Sequence, residues 1–343
     1  IPREALNADY IIPSPFDPRI KGGVSRAVAE AAVKSGAAGA LTQNESSTVD
    51  RGVLIQVKNT LKALGELSAY YRNKFSLPII AVTGSVGKTG TKDMIAAALS
   101  RKKNVLKTPG NYNNEIGLPL TIFGLGKFHE AAVVEMGMSG FGEISRLSKI
   151  ARPDIAVITN IGMSHIEKLG SKENILKAKL EILEGMNTET GLLLLNGDDE
   201  FLTGLKDKMR IRTLYYGING DYDYRAFNIE ASEAYTDFSI TIRKKEYRVR
   251  IPAPGIHNVY NAVVAIAVAD ELKTDMKAIA EGLLQYNPGS MRLNIIEQNG
   301  LKVINDAYNA CPDSMKAALD VMSKIKGQRR IAVLGDMLEM GDW

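Results

Sequence analysis

One run of residues constrains the fold of this chain more than any other feature. An apolar strand predicted over 78–82 leads into Thr83-Gly84-Ser85-Val86-Gly87-Lys88-Thr89, and a helix is predicted over 91–99. In such a strand–loop–helix unit, backbone N–H groups of the loop and of the helix N-terminus face bound phosphates. Lys88 supplies a charge for the outer phosphates, and the Thr89 hydroxyl can ligate Mg²⁺. The run therefore predicts a site for a nucleotide triphosphate.

The loop departs from the usual phosphate-binding pattern at one position. That pattern has its first glycine five residues before the position of Gly87, where this chain has Val82. The loop is therefore a Thr-Gly-Ser-x-Gly-Lys-Thr variant. A chance glycine turn would produce a similar run, but the predicted strand and helix both lie where a phosphate loop requires them.

Length and composition limit the class of protein. The 343 residues suffice for two or three domains, and 45% hydrophobic with 24% charged residues excludes a mostly disordered chain. A net charge of +4 suits anionic small substrates, and no Lys/Arg block is long enough to indicate nucleic acid binding. The single cysteine, Cys311, excludes an internal disulfide, so we expect a reducing, cytoplasmic environment. No apolar run approaches the ~18 residues of a membrane span, and no membrane insertion is expected.

The order of predicted elements divides the chain into three α/β domains. They cover residues 1–77, 78–288 and 289–343. The chain has no starting Met and ends soon after a strand predicted over 331–334, so we expect the first and third domains to be incomplete.

Alternating strands and helices in the central domain predict a parallel sheet. Ligands gather at the carboxyl ends of the strands in such a sheet, and Thr83, Glu135 and Thr159-Asn160 follow or end predicted strands there. Segments 224–229, 238–242 and 247–251 alternate apolar and polar residues, which predicts antiparallel strands. The other predicted strands are 38–41, 54–57, 79–82, 104–106, 131–135, 155–159, 192–195, 293–297 and 302–305, and the other predicted helices are 25–35, 61–75, 175–183, 258–272 and 313–323.

Three charged or titratable residues are candidates for metal chemistry. Glu135 can bind Mg²⁺ directly or through water, although neighbouring N–H groups can equally satisfy it. A lone histidine such as His165 is more often structural than a ligand, but its place in the loop after a parallel strand shifts the balance toward function. Lys177 and Lys179 are two residues apart on one helix, so at most one points inward, and a solvated face is the default for both.

Several asparagines are candidates for ligand contacts. Asn258 and Asn261 share a helix face that suits a base or ribose, although an N-cap and a polar face explain the spacing as well. Asn111, Asn113 and Asn114 form an amide-rich loop that suits carbonyl groups and Mg²⁺-bound phosphates, or is plain turn chemistry.

Two residues of the third domain are candidates for nucleotide contacts. Arg292 and Asp306 can reach back to a nucleotide, or form an interdomain surface pair. Cys311 is not expected to act as a nucleophile because no histidine is close to it in sequence.

Together and in this order, these motifs resemble the ATP-dependent Mur ligases of peptidoglycan synthesis. The resemblance extends from about Pro78 to Gly341. The loop 110–119 and the runs 306–315 and 334–341 are most similar to the branch that adds D-alanyl-D-alanine to UDP-N-acetylmuramoyl-tripeptide. The motifs that carry the family resemblance are 83–89, Glu135-Met136-Gly137, 159–165, Ala178-Lys179, Gly255-Ile256-His257-Asn258-Val259-Tyr260-Asn261, Arg292 and Asp306.

The resemblance implies a fold and a reaction. The fold has an N-terminal domain for the UDP-linked substrate, a central P-loop ATPase domain with a parallel sheet, and a Rossmann-like C-terminal domain, and the domains open and close. The tripeptide carboxylate attacks the γ-phosphate of ATP and forms an acyl phosphate, whose carbonyl the amine of D-alanyl-D-alanine then attacks. We expect a monomer.

The resemblance also implies residue roles. Lys88 holds the β- and γ-phosphates, Thr89 and Glu135 hold one Mg²⁺, and His165 and Lys179 serve a second. Lys179 resembles the family's carbamylated lysine; addition of CO₂ requires a neutral amine, which burial or a nearby charge favours. The implied nucleotide contacts are Asn258, Arg292 and Asp306 with the loop residues Gly84 to Thr89, and the implied substrate contacts are Asn113, Asn114, Tyr308 and Asn309.

Two departures from the family pattern and three alternatives remain. Cys311 replaces a second Asn, and the first domain lacks the Asp-Ser-Arg stretch expected to hold UDP. The alternatives are another ligase of the superfamily (folylpolyglutamate synthase or the Mur ligase that adds the third residue), a nucleotide-binding paralogue without ligase activity, and a P-loop kinase. The Asn-rich loop and the run 306–309 argue against the first, and the retained Lys88, Glu135, His165 and Lys179 argue against the second.

Overall fold

The computed structural model describes residues 39–43, 53–289, 291–325, 327 and 329–341. These residues fall into two compact units, one ending at Glu66 and the other beginning at Leu67. The helix predicted over 25–35 lies outside the described residues. The division into three domains stays a prediction.

The first unit contains a parallel pair of strands. β1 (Gly39–Thr42) pairs with β2 (Val53–Gln56), which confirms both predicted strands to within one residue. Helix α1 (Thr60–Arg72) begins in this unit. Both the backbone N–H and the hydroxyl of Thr60 donate to Gln43 Oε1, at 2.8 and 2.6 Å.

A nine-stranded sheet forms the centre of the second unit. The strands are β3 (Ile79–Thr83), β4 (Val105–Lys107), β5 (Ala131–Glu135), β6 (Ile155–Ile158), β7 (Leu192–Asn196), β8 (Arg212–Gly217), β9 (Tyr224–Ala231), β10 (Thr236–Ile242) and β11 (Lys245–Ile251). Their order is β11-β10-β9-β8-β7-β6-β3-β5-β4. The pairs from β4 to β9 are parallel, and β9, β10 and β11 pair antiparallel. The parallel and antiparallel predictions are both confirmed, and the two parts form one sheet.

Helices cover both faces of this sheet. They are α2 (Lys88–Leu99), α3 (Gly117–Phe123), α4 (Glu143–Ala151), α5 (Ile166–Leu169), α6 (Lys172–Leu180), a 3₁₀ helix (Glu181–Gly185), α7 (Glu200–Thr203), α8 (Ile256–Glu271) and α9 (Met276–Leu283). One hydrophobic cluster contains α2, α8 and α9, and the other contains α3, α4 and α6. Because helices cover both faces, every residue of β3 and of β5 is buried, and these strands are continuously apolar up to their last residues.

The helix predicted over 175–183 differs from the observed one. α6 begins three residues earlier, where the Ser171 side chain accepts a hydrogen bond from the Asn174 N–H at 3.2 Å. The helix ends at Leu180 and continues as the 3₁₀ helix. An N-terminal serine cap of this kind supplies a partner for an N–H group that has none within the helix.

The segment after residue 290 contains a hairpin and a helix. β12 (Asn294–Gln298) and β13 (Leu301–Asn305) pair antiparallel, and α10 (Pro312–Lys324) follows. The strand predicted over 331–334 is wrong: these residues form no strand, and Val333 is 94% exposed. Among the described residues the β12–β13 sheet has no third strand, so this apolar run has no backbone partners with which to form a ladder. Across the described part of the chain, no helix has the length and apolar character needed to cross a membrane.

Candidate functional site

The loop between β3 and α2 has backbone N–H groups available to a ligand. Among the described residues, the N–H groups of Gly87, Lys88 and Thr89 have no acceptor. Free N–H groups at a helix N-terminus favour a bound anion. Gly87 has φ of 82°, in the left-handed region that favours glycine. The geometry is that of a phosphate-binding loop.

Lys88 folds back onto this loop. Its Nζ donates to the carbonyl oxygens of Gly84 and Ser85, at 2.8 and 3.1 Å. Burial lowers the pKa of Lys88, and the negative charge of Glu135 partly opposes this shift. The ammonium group therefore has backbone acceptors that phosphate oxygens can replace.

The loop after β6 holds the phosphate loop in place. Asn160 accepts hydrogen bonds from two consecutive loop N–H groups: Ser85 N–H donates to its carbonyl oxygen at 3.1 Å, and Val86 N–H to its Oδ1 at 3.0 Å. The Thr159 hydroxyl donates to the Val86 carbonyl at 2.6 Å. A Cβ at Gly84 would lie 1.8 Å from Thr159 Oγ1, so only glycine permits this approach. Sequence analysis marked Thr159-Asn160 as a strand end and missed this role.

A second set of residues supports the loop after β6 from behind. Asp199 Oδ2 accepts the Ile161 N–H at 2.7 Å, and the Asn196 amide donates to the Thr159 carbonyl at 3.1 Å. Asp199 Oδ1 also accepts from the first N–H groups of α7. Burial raises the pKa of Asp199, and these hydrogen bonds oppose that shift. The position of Asp199 in the sequence is typical only of a helix cap, so its contact with the distant Ile161 could not be predicted.

Glu135 lies at the end of β5 beside the phosphate loop. Its side chain is buried and accepts hydrogen bonds from the Thr89 hydroxyl at 2.9 Å and the Asn113 amide at 2.8 Å. Its own N–H donates to Thr108 Oγ1 at 2.9 Å. The contact between Thr89 and Glu135 brings a hydroxyl and a carboxylate together where both were predicted to serve one ion.

The donor set here fits Mg²⁺. Mg²⁺ prefers oxygen ligands and is usually held by one or two carboxylates, with waters and substrate phosphates completing the octahedron. Glu135 and Thr89 supply such oxygens next to the phosphate loop. Over the residues that the structure describes, no group of three or more His, Cys, Asp or Glu side chains forms a metal site by itself. The ion would therefore depend on the nucleotide for further ligands.

The structure separates the two lysines of α6. Lys177 is exposed, whereas Lys179 is 1% exposed. Within the described part of the chain, Lys179 Nζ has no hydrogen-bond acceptor and no ion-pair partner. Burial, and then the positive charge of Lys88, lower the pKa of Lys179 well below its ordinary value. The solvated-face interpretation therefore holds for Lys177 and not for Lys179.

His165 stands at the start of α5 with φ of 64°, in the left-handed region. Its Nδ1 lies 2.6 Å from Glu339 Oε2, but the two are not aligned as a hydrogen bond. Burial lowers the pKa of His165; Glu339 opposes the shift, and the charges of Lys88 and Lys179 add to it. The Glu339 carbonyl also accepts the Glu167 N–H at 3.2 Å. Sequence analysis included Glu339 only in a family motif and did not assign it this contact.

One cavity of about 360 Å³ brings most of the predicted residues together. Gly84, Lys179 and Asn258 are not among its lining residues. Cys311 also lines it, with its Sγ 3.2 Å from Ser314 Oγ at the start of α10. The predicted residues that line the cavity are Ser85, Val86, Gly87, Lys88, Thr89, Asn113, Asn114, Glu135, His165, Arg292, Asp306, Tyr308 and Asn309.

Asn258 holds the start of α8 and contacts Asn261, which joins α8 to α2. Its amide donates to the Pro254 carbonyl at 2.8 Å, and its Oδ1 accepts from the Asn261 amide at 3.4 Å. Asn261 Oδ1 in turn accepts the Thr91 hydroxyl at 2.9 Å, which fastens α8 to α2. A nucleotide contact from Asn258 stays a prediction.

The segment after residue 290 contributes a charged and aromatic wall. The Arg292 guanidinium lies 4.0 Å from the centre of the Tyr308 ring, and Asp306 Oδ1 accepts the Leu293 N–H at 3.0 Å. Burial raises the pKa of Asp306, opposed by that hydrogen bond and by the charge of Arg292. Arg292 thus presents a positive charge to the cavity on a side chain oriented by stacking.

A phosphate-binding loop at the carboxyl edge of a parallel sheet, with a buried acid and a buried lysine nearby, defines a nucleotide-dependent class of α/β protein. Residues 82–269 match the Mur ligase middle domain, and residues 291–343 match the Mur ligase, glutamate ligase domain. The chain belongs to the Mur ligase family.

Relatives and solved structures refine this placement. The chain is 46% identical over 291 residues to the UDP-N-acetylmuramoyl-tripeptide–D-alanyl-D-alanine ligase of Bacillus subtilis (strain 168), covering 84% of this chain and 62% of that protein. It therefore spans less than two thirds of that relative's length.

Two solved structures are similar over most of the chain. MurF from Acinetobacter baumannii has a TM-score of 0.84 at 35% identity, covering 90% of this chain and 68% of that one. The MurF ligase from Thermotoga maritima, determined in complex with ADP, has a TM-score of 0.82 at 29% identity, covering 91% and 71%. The predicted α/β fold of a Mur ligase is confirmed.

Proposed function

We propose that the protein containing this chain is an ATP-dependent ligase that joins D-alanyl-D-alanine to UDP-N-acetylmuramoyl-tripeptide through an acyl phosphate. The observation that carries the proposal is the 46% identity to a ligase of that name over 291 residues, 84% of this chain. The cavity that gathers the phosphate loop, Glu135, His165 and Arg292 supports it.

The phosphate loop binds the triphosphate of ATP. The free N–H groups at 87–89 donate to phosphate oxygens, and Lys88 exchanges its two carbonyl acceptors for the β- and γ-phosphates. Thr89 and Glu135 would hold Mg²⁺, which would neutralise charge on the phosphates. Arg292 supplies a further positive charge from the opposite segment, with Asp306 and Asn258 as further candidate nucleotide contacts.

Lys179 is proposed to carry a carbamate. Burial and the charge of Lys88 favour its neutral amine, which is the form that adds CO₂. The ammonium group first loses one proton to solvent; the neutral amine then adds CO₂, a second proton is released as the N–C bond forms, and the cation has become an anion. Together with His165, that anion would hold a second Mg²⁺. The side chain of Lys179 is 1% exposed and has no acceptor for Nζ within the described residues, which supports this proposal, because an ammonium group loses hydration there without gaining a protein partner.

The reaction itself requires positioning and charge neutralisation. The tripeptide carboxylate attacks the γ-phosphorus, and ADP leaves. The amine of the dipeptide then attacks the acyl phosphate carbonyl, a C–N bond forms, and phosphate leaves with the proton lost from nitrogen. The side chains of Asn113, Asn114, Tyr308 and Asn309 line the same cavity and are the candidate contacts for these substrates. A monomeric state and a cytoplasmic location remain predictions from the sequence.

Phosphate release from ATP tests the proposal. The full-length protein is supplied with Mg²⁺, ATP and UDP-N-acetylmuramoyl-tripeptide, with and without D-alanyl-D-alanine. Release that depends on the dipeptide, with the mass of the UDP-linked pentapeptide appearing, supports the proposal. Release that depends instead on glutamate and a folate, or on a diamino acid and the UDP-linked dipeptide, would replace it with the corresponding superfamily ligase. No release with any set would favour a paralogue without ligase activity, and a phosphorylated product without an amide would favour a kinase.

A further inference from the structure

Three carboxylates line the cavity, and they differ in their partners. Glu135 accepts hydrogen bonds from Thr89 and Asn113, and Asp306 accepts one from the Leu293 N–H. The third, Glu143, makes no hydrogen bond or ion pair with any described residue, and its side chain is half-buried. The cavity therefore contains one carboxylate whose negative charge is available to a ligand.

Glu143 is not needed to stabilise its own helix. It lies in the first turn of α4, where an acid commonly accepts from free N–H groups. Glu181 already does so: its carboxylate accepts the Gly142 N–H at 2.8 and 2.9 Å and the Ser145 N–H at 3.2 Å. The N-terminus of α4 is thus satisfied by a residue from another element.

The nearest cation on the same helix is also occupied. Arg146, three residues after Glu143, forms a two-bond ion pair with Glu115, with Nη2 at 3.0 Å from Oε2. An i, i+3 pair between Glu143 and Arg146 would otherwise be the expected partner. Glu143 forms neither a cap nor an intrahelical ion pair, and its charge contributes less than that of Glu115 to the raised pKa of Arg146.

The start of the helix that carries Glu143 is held by the 3₁₀ helix that directly follows α6 and Lys179. Glu181 follows Lys179 by two residues, so its contact with Gly142 joins the end of α6 to the start of α4. Ser164 and His165 line the same cavity as Glu143. The free carboxylate therefore lies beside the group of residues proposed to handle the reacting phosphate.

We propose that Glu143 binds the ammonium group of the amine substrate. This inference rests on the proposed function. The amine arrives as a cation at neutral pH, whereas Lys88 and Arg292 suit the anionic substrates. A primary ammonium has three donors and needs an anionic acceptor that is not already used. Of the three carboxylates that line the cavity, Glu143 alone meets that requirement.

The substitution Glu143→Gln keeps the shape of the side chain and removes its charge. We expect KM for D-alanyl-D-alanine to rise by about 10- to 100-fold, the effect of losing one hydrogen bond between charged groups. KM for ATP and for the UDP-linked tripeptide should stay within about twofold, which also verifies that the variant folds. The matched control is Glu246→Gln, at an exposed carboxylate of β11 outside the cavity, and it should leave all three constants unchanged.

Hydroxylamine provides the second measurement, because it is uncharged at neutral pH and converts an acyl phosphate to a hydroxamate. With ATP and the UDP-linked tripeptide, we expect Glu143→Gln and the unsubstituted protein to form hydroxamate at equal rates. That result, together with the raised KM for the dipeptide, supports an ammonium subsite.

Three outcomes would overturn the inference. An unchanged KM for the dipeptide excludes the contact. Equal loss of hydroxamate and of ligation places Glu143 in acyl phosphate formation, and a raised Mg²⁺ requirement makes it a metal ligand. If the unsubstituted protein releases no phosphate from ATP even when both the UDP-linked tripeptide and D-alanyl-D-alanine are present, the proposed function fails and this inference with it, whereas the three results above leave that function standing.

Discussion

The regions around Lys88 and Lys179 each bury a lysine side chain, but they give it different hydrogen-bond acceptors and neighbouring charges. Burial lowers the pKa of both lysines. Lys88 Nζ has two carbonyl acceptors within 3.1 Å, and the charge of Glu135 also favours its protonated form. Lys179 Nζ has no acceptor within the described residues, and the charge of Lys88 disfavours its protonated form.

The difference shows that burial alone does not decide the role of a lysine. Carbonyl acceptors in the phosphate loop stabilise an ammonium group that can instead donate to phosphate oxygens when a nucleotide binds. A buried position without acceptors among the described residues favours the neutral amine, which is a nucleophile toward CO₂. The predictions below test whether the two lysines differ in this way, in order of decreasing effect.

The largest loss is expected for Lys88→Ala. Removing the charge at the β- and γ-phosphates should lower kcat by about 10³-fold or more, the upper range for loss of one preorganised electrostatic contact. Dipeptide-dependent phosphate release measures it. Added short carboxylates or amines should not restore activity, and near-normal turnover would contradict the nucleotide assignment.

A smaller loss, with rescue, is expected for Lys179→Ala. Without the carbamate, activity should fall by about 10²-fold, and short carboxylates such as acetate should restore part of it by supplying an anion in the vacated space. The matched control is Lys177→Ala, on the same helix but exposed, which should retain normal activity. Full activity of Lys179→Ala would remove the distinction between the two lysines of α6.

The substitution Asn160→Ala tests how the Lys88 region is held. It removes the acceptor for the Val86 N–H and the donor to the Val86 carbonyl, so the phosphate loop should lose order. We expect KM for ATP to rise by about 10-fold, the effect of one net hydrogen bond, with a smaller change in kcat. Asn73→Ala, at an exposed position away from the cavity, is the control. A fall in kcat without a change in KM would indicate that the loop is held by other contacts.

The smallest effect is expected in stability, for Lys179→Met. The folded-state pKa of Lys179 lies well below its ordinary value of 10.5. Between the two values the unfolded chain binds more protons than the folded one, so the unfolding free energy of the unsubstituted protein rises as pH rises through that window. Lys179→Met lacks this dependence. It should be more stable by about 1 kcal/mol on the acid side of the window, with an advantage that shrinks as pH rises.

Urea unfolding at a series of pH values, in buffer depleted of CO₂, measures this difference. Lys177→Met is the control and should show no pH-dependent difference, because Lys177 is exposed in the folded protein. An advantage of Lys179→Met that is constant with pH would mean that Lys179 remains protonated when buried.

Parts of the fold with local signals were predictable. The strand–loop–helix unit around Lys88 follows from an apolar strand, a positive-φ glycine and a helix start, all within about twenty residues. The strand predicted over 331–334 has equally clear local character and is wrong, because a strand also needs a partner and the described residues provide none.

Contacts between distant segments were not predictable. Asn160 reaches Val86 across 74 positions, and Asp199 reaches Ile161 across 38. Each asparagine or aspartate in isolation has the sequence character of a turn or a cap. The backbone groups with which such a side chain forms hydrogen bonds depend on the order of strands in the sheet. The identity of a single residue does not reveal that order.

The sequence by itself determined the phosphate loop, the acid at the end of β5 and the family. These features depend on residue type and short-range spacing, which can be read directly from the amino-acid sequence. Only the tertiary structure decided that Lys179 rather than Lys177 is buried, that Asn261 joins two helices, and that Glu143 faces the cavity without a hydrogen-bond or ion-pair partner among the described residues. Burial and charge pairing are properties of what packs around a side chain, and that packing exists only once the helices lie on the sheet.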